Sequence, residues 1–259
     1  MIVQNKGDMT MDYIKDLYDL EQTLAKDWLA GFRYPWEALS RLGDFIVRLG
    51  ESLPREEYRE AAPRVWVHAT AEISPSAELK APCVIGRFAE VRTGALIAGN
   101  VLVGEGCVVG AACQLENSIL FSGVQLQHSN FVADSIIGTR CFLRSGASVS
   151  TVLGERQVSI HDPAGDIETG LRKVGAFLGD FAVVGCNSVL RPGVVVGRNG
   201  RVKHLMAASG VIPGREKPAP AAEKPAEPEK PAPEEKPAEP VKEENPAEAA
   251  EKKGVSLSK

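Results

Sequence analysis

The four histidines and five cysteines carry the side chains best suited to proton or group transfer in this 259-residue chain. Four of the cysteines fall at a small apolar position of a repeat described below, where a thiol is typically a buried core group. Cys186 stands two residues beyond a position that should point inward, so we expect it to face outward. The cysteines show no zinc-ligand spacing such as C-x2-C, and no metal site is predicted.

His128 is the strongest candidate for acid–base chemistry. It lies in QLQHSNF, within a stretch (121–134) where the repeat is interrupted and no inward position calls for an imidazole. Such an imidazole can serve as a general base near neutral pH, and the alternative is an exposed histidine without a role. His161, in HDPAGDIE, lies among acidic side chains, a pattern more typical of a solvated loop than of a metal site.

A period of six residues determines where these groups stand. From Val67 to Leu115 every sixth residue is aliphatic, and a small or branched apolar residue follows four positions later. Neither a helix nor a flat strand has this period, whereas a coil of short strands with three flat faces does. The period resumes at Ile137 and again at Leu178. We therefore predict a left-handed parallel β-helix over 63–212, with about six or seven turns.

The segments around the repeat differ in composition. Residues 11–62 contain two amphipathic runs at helical spacing, which we predict to form a helical cap at one end of the β-helix. Residues 1–10 are expected to be flexible, and 152–177 to form a loop extruded from the coil. Residues 213–259, rich in Pro, Ala, Glu and Lys, are predicted to be a disordered tail.

Charge and hydropathy limit the partners. A net charge of −4 gives no electrostatic reason to expect nucleic acid or an anionic membrane as partner. The first residues lack the apolar core of a signal peptide, and no run is long enough to span a bilayer. We expect a cytoplasmic protein without nucleic-acid or membrane partners, whose tail is a candidate tether for an unknown protein.

Three stretches of the repeat are similar to a known family: IGRFAEVRTGA (85–95), VGAACQLENSILFSGVQLQHSNFVADSIIG (109–138) and LGDFAVVGCNSVLRPGVVVG (178–197). They resemble the hexapeptide-repeat acyltransferases, and more closely the C-terminal acetyltransferase half of the bifunctional enzyme of UDP-N-acetylglucosamine synthesis. With its YPWEAL segment, the chain also looks like short bacterial proteins named as UDP-N-acetylglucosamine pyrophosphorylase relatives. Uridylyltransferase activity is not expected, because the Gly-rich domain that performs it is missing from these 259 residues.

The resemblance implies acyl transfer from acetyl-CoA or another acyl-CoA to a small-molecule acceptor such as a sugar, sugar phosphate or sugar nucleotide. It also implies a homotrimer with active sites between adjacent prisms. His128 falls on the general base, and Arg92 falls on the arginine that contacts the sugar phosphate. The other implied substrate contacts are Asn130, Arg172 and Lys173. The implied cofactor contacts are Ser145, Cys186 and Lys203.

Several positions depart from the family's pattern, and the expected asparagine is absent from RSGASVST (144–151). Gln114 stands where a carboxylate supporting the histidine is expected, Glu116 where a lysine is expected, and Phe131 where a tyrosine is expected. A glutamate in a phosphate site opposes the anion by on the order of 1 kcal/mol, which argues against glucosamine-1-phosphate as substrate. The alternative function is a non-catalytic scaffold or binding protein with a degenerate active site. A metal-dependent hydratase of the carbonic anhydrase type is disfavoured by the spacing of the histidines at His128, His161 and His204.

Overall fold

The computed structural model describes residues 12–216, in which short parallel strands wind into a β-solenoid of about eight turns. The predicted β-helix is therefore confirmed, with slightly more turns than the sequence indicates. The chain enters the coil through β1 (Tyr58–Ala62), which pairs antiparallel with the first coil strand.

The coil strands fall on three faces. The first face contains β2 (Val65–His68), β5 (Cys83–Ile85), β8 (Val101–Val103), the ends of β10 (Gln114–Leu120) and β12 (Phe131–Ile137), β17 (Ala176–Leu178), β20 (Val194–Val196) and β23 (Val211–Ile212). The second face contains β3 (Glu72–Ile73), β6 (Glu90–Val91), β9 (Val108–Val109), β11 (Gln125–Leu126), β13 (Phe142–Leu143), β18 (Val183–Val184) and β21 (Arg201–Val202). The third face contains β4 (Glu78–Leu79), β7 (Leu96–Ile97), the starts of β10 and β12, β14 (Ser148–Val149), β19 (Val189–Leu190) and β22 (Ala207–Ala208).

The interior of the coil is filled by the aliphatic and small residues of the repeat, as predicted. They form one continuous buried cluster that includes Cys83, Cys107, Cys113 and Cys141. Burial raises the pKa of the Cys83 and Cys107 thiols to about 12, because the apolar interior disfavours the thiolate. These cysteines are core groups and not nucleophiles at neutral pH.

The interruption predicted at 121–134 is wrong. Successive coils advance by eighteen residues from Val65 through Cys83 to Val101, and then by seventeen through Ser118 to Ser135. The coils stay regular because only the corner between the third and first faces loses one residue. That loss shifts the period of six without breaking the coil, and His128 lies on an ordinary corner.

The individual helices of the helical segment are shorter than the sequence predicts. It consists of α1 (Tyr13–Leu17), a 3₁₀ turn (Leu20–Gln22), α2 (Lys26–Leu29), a 3₁₀ helix (Pro35–Arg41) and α3 (Leu42–Ser52). The first predicted helix is broken at Asp19. The Asp19 backbone N–H donates to the buried Asp180 carboxylate at 2.7 Å, and the Asp19 side chain accepts from Glu21 N at 3.2 Å. These two contacts hold the chain outside helical geometry.

The helical segment lies along the first face, so its predicted position as a cap at one end is wrong. The Trp36 ring packs 5.6 Å from the Phe177 ring, and the Tyr18 hydroxyl donates to Ile136 O at 3.2 Å. The outward side chains of the first face are buried in one cluster with the helices: Trp66, Val84, Leu102, Ile119, Ile136, Phe177 and Val195. A sheet face that is apolar on both sides requires such a cover.

The loop at 152–177 also covers the first face and is not simply extruded. It contains a hairpin of β15 (Ser159–Asp162) and β16 (Gly165–Glu168), and Val158, Ile160 and Val174 join the cluster beneath the helices. The Tyr13 hydroxyl donates to the Asp162 carboxylate, which ties the hairpin to α1.

The last coil strand ends at Ile212, where the sequence predicts the β-helix to end. The Arg215 backbone N–H still donates to Arg198 O at 2.8 Å, so the first residues of the predicted tail follow the coil. The predicted flexible stretch 1–10 and the tail from 217 onward lie outside the described residues. Within residues 12–216, no helix is long and apolar enough to cross a membrane.

Candidate active site

The corner between the second and third faces brings most of the predicted site residues together. Backbone hydrogen bonds link successive corners, from Gly146 N to His128 O, from Asn187 N to Ser145 O and from Leu205 N to Cys186 O, at 2.9–3.0 Å. The corners therefore stack at about 4.8 Å per turn. We name this edge the His128 ridge, defined by Arg92, Gln127, His128, Arg144, Ser145, Cys186, Lys203 and His204.

His128 is exposed and held by a neighbour from the next turn. Its Nε2 lies 2.7 Å from Ser145 Oγ. The Gln127 side-chain oxygen accepts from both the backbone N–H and the hydroxyl of Ser145, each at 3.2 Å. The Nδ1 atom makes no hydrogen bond within residues 12–216, so one ring nitrogen is available to a bound molecule.

Arg92 stands two turns below His128 on the same ridge, about 10 Å away along the coil. Its Nε and Nη2 both donate to Glu90 Oε2, at 3.1 and 2.8 Å. Glu72 pairs with Glu90 in the strand register and lies one turn further down. These residues line a cavity of about 380 Å³ whose acidic groups outnumber its single arginine. The expected phosphate anchor is therefore already paired with a carboxylate.

The upper part of the ridge is basic. Arg144 and Lys203 on the ridge, and Arg201 on the adjoining second face, are exposed. None of the three has a carboxylate partner within 4.0 Å among residues 12–216. The Arg144 guanidinium carbon lies 5.4 Å from the Phe142 ring centre. This end of the ridge is suited to an anionic group.

Cys186 is half-buried on the ridge, which confirms the outward orientation predicted for it. Its backbone N–H donates to His204 Nδ1 at 3.0 Å. The neutral form of His204 therefore carries its proton on Nε2. The thiol and this imidazole stand one turn apart, above Ser145.

Asn130 does not face the ridge surface. It occupies the small inward position of its strand and is 1% exposed. Its Nδ2 donates to Arg144 O at 2.8 Å and to Ala147 O at 3.2 Å, and its Oδ1 accepts from Cys113 Sγ at 3.6 Å. Because its polar atoms all bond inside the coil, the geometry gives no support to the predicted substrate contact.

Arg172 and Lys173 lie at a different corner. Their loop leaves the third face after β14 and returns to the first face at β17, and both side chains are exposed. Lys173 forms an isolated β-bridge with Val152 beside the same corner. The third face separates these two residues from His128 within one chain.

No group of three or more His, Cys, Asp or Glu side chains is placed to hold a metal ion within residues 12–216. His161 instead pairs with Asp166 at 2.9 Å across its hairpin. It lies on the cover of the first face, away from the ridge.

Gln127, Arg144 and His204 belong to the ridge but were not predicted as site residues. The repeat period would have identified these three residues in the sequence, if the seventeen-residue coils had been recognised. Each corner begins after the inward aliphatic residue of the second face. The first position after that residue is occupied by Gln127, Arg144 and Lys203. The second position is occupied by His128, Ser145, Cys186 and His204.

A family model described as the GMPPB C-terminal domain matches residues 79–164. This range contains Arg92, His128 and Ser145 but ends before Cys186. It covers the lower coils and part of the hairpin.

Relatives are found among acetyltransferases. "Uncharacterized acetyltransferase YaiX" of Escherichia coli O6:K15:H31 is 29% identical over 143 residues, covering 54% of this chain and 61% of the relative. "Bifunctional protein GlmU" of Methanococcus maripaludis strain C5 is 30% identical over 105 residues, covering 40% of this chain and 26% of the relative. The chain thus spans about three fifths of the first relative and a quarter of the second.

Solved structures that match part of the chain include the acetyltransferase domain of PglB from Neisseria gonorrhoeae, 16% identical. It covers 57% of this chain and 51% of that one, with a TM-score of 0.30. The pairing register of the coil strands defines the present chain as a hexapeptide-repeat β-helix protein. The match to the PglB domain is not needed for this assignment. Its relatives are acetyltransferases and GlmU proteins, so the resemblance predicted from the three stretches is confirmed.

Proposed function

We propose that this protein transfers an acyl group, in the first place acetyl, from a CoA thioester to an amino or hydroxyl group of a sugar-containing acceptor. The observation that carries the proposal is the His128 ridge. It places an exposed imidazole with a free nitrogen on the same edge as three cations that have no carboxylate partner within residues 12–216. The relatives named as acetyltransferases support the same reaction class.

The chemistry assigns one step to His128. Its free ring nitrogen accepts the proton of the acceptor's amine or hydroxyl as that atom attacks the thioester carbonyl. The C–S bond then breaks, and the CoA sulfur leaves and takes up a proton. The new amide or ester stays on the acceptor, and the imidazole returns to its neutral form.

The donor fits along the upper ridge. An extended CoA molecule with its thioester at His128 would direct its phosphates towards Lys203, about 14 Å higher along the coil. Arg144 lies between these points, and Arg201 lies beside Lys203. Since none of the three cations has a carboxylate partner within residues 12–216, they are available to phosphate oxygens. Ser145 and Cys186 would then line the thioester and the arm that carries it.

The acceptor is expected below His128. Glu72 and Glu90 surround Arg92 there, which disfavours a phosphate monoester at this position. The lower ridge is better suited to hydroxyl or amino groups of a sugar, which a carboxylate can bind by accepting hydrogen bonds.

We further propose that three copies associate through the two faces that the helices leave open. The third face presents half-buried Leu96 and Phe131 and exposed Val189. Arg172 and Lys173 at its far corner could then reach the ridge of a neighbouring copy, although they lie far from His128 in their own chain. The second face carries Phe142 and Val183 in equivalent positions.

A scaffold without catalysis is the second candidate. It is favoured by the pairing of Arg92 with Glu90 and by the buried position of Asn130. In that case the prism would be retained for binding, and no acyl-CoA would occupy the ridge.

Calorimetric titration with acetyl-CoA and desulfo-CoA, followed by thiol release in an acceptor screen of amino-sugar nucleotides, tests the proposal. We expect saturable binding near one site per chain. His128→Ala should keep this binding but lower the transfer rate by about 100-fold or more, since the general base is removed. His161→Ala is the matched control, because that histidine is also exposed but lies on the hairpin. Absence of binding by the unmodified protein would leave the scaffold as the function.

A further inference from the structure

We propose that Ser145 and Gln127 form a positioning relay that keeps the proton of neutral His128 on Nε2 and makes Nδ1 the nitrogen that accepts the substrate proton. The inference deepens the proposed function and rests on it for the catalytic half. The tautomer of His128 can be measured without any substrate.

The orientation of the Gln127 amide is the first step. Its side-chain oxygen accepts the backbone N–H of Ser145 at 3.2 Å, and a backbone N–H can only donate. The oxygen end of the amide therefore faces Ser145. The Ser145 hydroxyl lies 3.2 Å from the same oxygen and can donate to it.

The direction of the hydroxyl decides the state of the ring. With its proton directed to Gln127, Ser145 Oγ offers lone pairs to His128 Nε2, 2.7 Å away. The ring must then carry its proton on Nε2. Donor and acceptor alternate along the chain from Nε2–H through Oγ–H to the amide oxygen, and hydrogen bonds in such a chain polarise one another.

The relay takes the place of the carboxylate that the resemblance leads one to expect. Gln114 stands at that position and makes no hydrogen bond to His128 within residues 12–216. The relay is uncharged, so it orients the ring and selects the tautomer without adding a full negative charge beside it. It is also built across two turns of the coil, from Gln127 on one corner to Ser145 on the next, and the stacked backbone holds its spacing.

The opposite arrangement is chemically possible: the Ser145 hydroxyl could donate to Nε2 and leave the proton on Nδ1. It would place a hydrogen atom on the exposed nitrogen and remove the base from the ridge surface. Gln127 would then lose its hydroxyl donor. The two arrangements differ in an observable quantity, the nitrogen that carries the proton.

Nitrogen-15 NMR of the imidazole side chains, at a pH where histidines are neutral, measures this quantity. His204 and His68 serve as internal references, because each accepts a backbone N–H on Nδ1, at 3.0 and 3.1 Å, and must carry its proton on Nε2. We expect His128 to match them in the unmodified protein. Ser145→Ala and Gln127→Ala should both shift its two nitrogens towards the mixture of tautomers seen in free histidine, and Ser145→Thr should restore the single form.

The matched controls are Gln125→Ala, an exposed glutamine on the strand before the ridge, and Ser148→Ala, a half-buried serine one strand beyond it. Neither should change the His128 signals. In the transfer assay, Gln127→Ala should lower kcat roughly tenfold with little change in KM, because it disturbs the orientation of the base and leaves Ser145, which lines the thioester, in place.

Two results would overturn the relay: a His128 proton on Nδ1 in the unmodified protein, or an unchanged tautomer after Ser145→Ala. A fixed Nε2–H tautomer that depends on Ser145, in a protein that binds no acyl-CoA, would instead support the relay and reject the proposed transferase. The two proposals therefore fail in different experiments.

Discussion

At the scale of single residues, the coil decides whether a polar side chain is available for chemistry. Inward positions bury it, whereas the corner between the second and third faces leaves it accessible. Asn130 and His128 illustrate the difference, since they are two residues apart and one is 1% exposed while the other lies open on the ridge. A polar side chain of a type that is common in active sites can therefore have only a structural role when it points into the coil.

The Asn130 position leads to a prediction. Asn130→Ala should lower the free energy of unfolding by about 1–2 kcal/mol, because two carbonyls inside the coil lose an amide donor. Affinity for acetyl-CoA should stay within twofold of the unmodified protein. Urea denaturation and calorimetric titration measure the two quantities.

Gln125→Ala is the control, because that amide side chain is exposed on the second face and makes no side-chain hydrogen bond within residues 12–216. It should leave stability nearly unchanged. A large loss of acyl-CoA affinity in Asn130→Ala, with stability unaffected, would return Asn130 to the set of ligand-binding residues.

At the scale of elements, the helices and the coil depend on each other through close contacts. α3 approaches the first face at Gly50, where an added Cβ would lie 2.1 Å from Trp66 Cε3. Glycine is required there by the approach of the indole ring and not by backbone conformation. The same face receives the hairpin, so helices and loop form one cover.

Gly50→Ala should therefore destabilise the protein by about 1–3 kcal/mol, because the methyl group forces α3 or the Trp66 ring to move. Gly31→Ala is the matched control, since its added Cβ would meet only Trp28 O at 3.4 Å. Chemical denaturation followed by tryptophan fluorescence measures both. Equal stability of the two variants would contradict the contact.

At the scale of the whole molecule, the cover determines which surfaces remain for other copies. The first face is occupied by its own chain, so association through a flat face has to use the second or the third. The ridge lies between these two open faces. In a trimer the candidate site would therefore be completed by a neighbouring copy.

Sedimentation equilibrium provides the test. We expect a mass about three times the 27.7 kDa of one chain for the unmodified protein. Val189→Glu, on the third face, should reduce the mass towards a single chain, because it places a charge in an apolar contact. Leu24→Glu should not, although Leu24 on the helical segment is comparably exposed, 47% against 43% for Val189. A single-chain mass for the unmodified protein would rule out the trimer.

The sequence by itself determined the β-helix, its end at Ile212, the burial of four cysteines and the outward position of Cys186. These follow from a period of six, which is a local property of the chain. It also indicated Arg92, His128, Ser145, Cys186 and Lys203 without showing that they share one edge.

Only the tertiary structure decided the rest. The helices lie along a face, the hairpin folds back, Arg92 pairs with Glu90, and Arg172 and Lys173 lie at another corner. Each depends on contacts between residues far apart in the chain, such as Asp19 with Asp180 and Tyr13 with Asp162. The seventeen-residue coils could not be recognised from the sequence either. Strand pairing between turns keeps the corners aligned, and the spacing along the chain does not show this pairing.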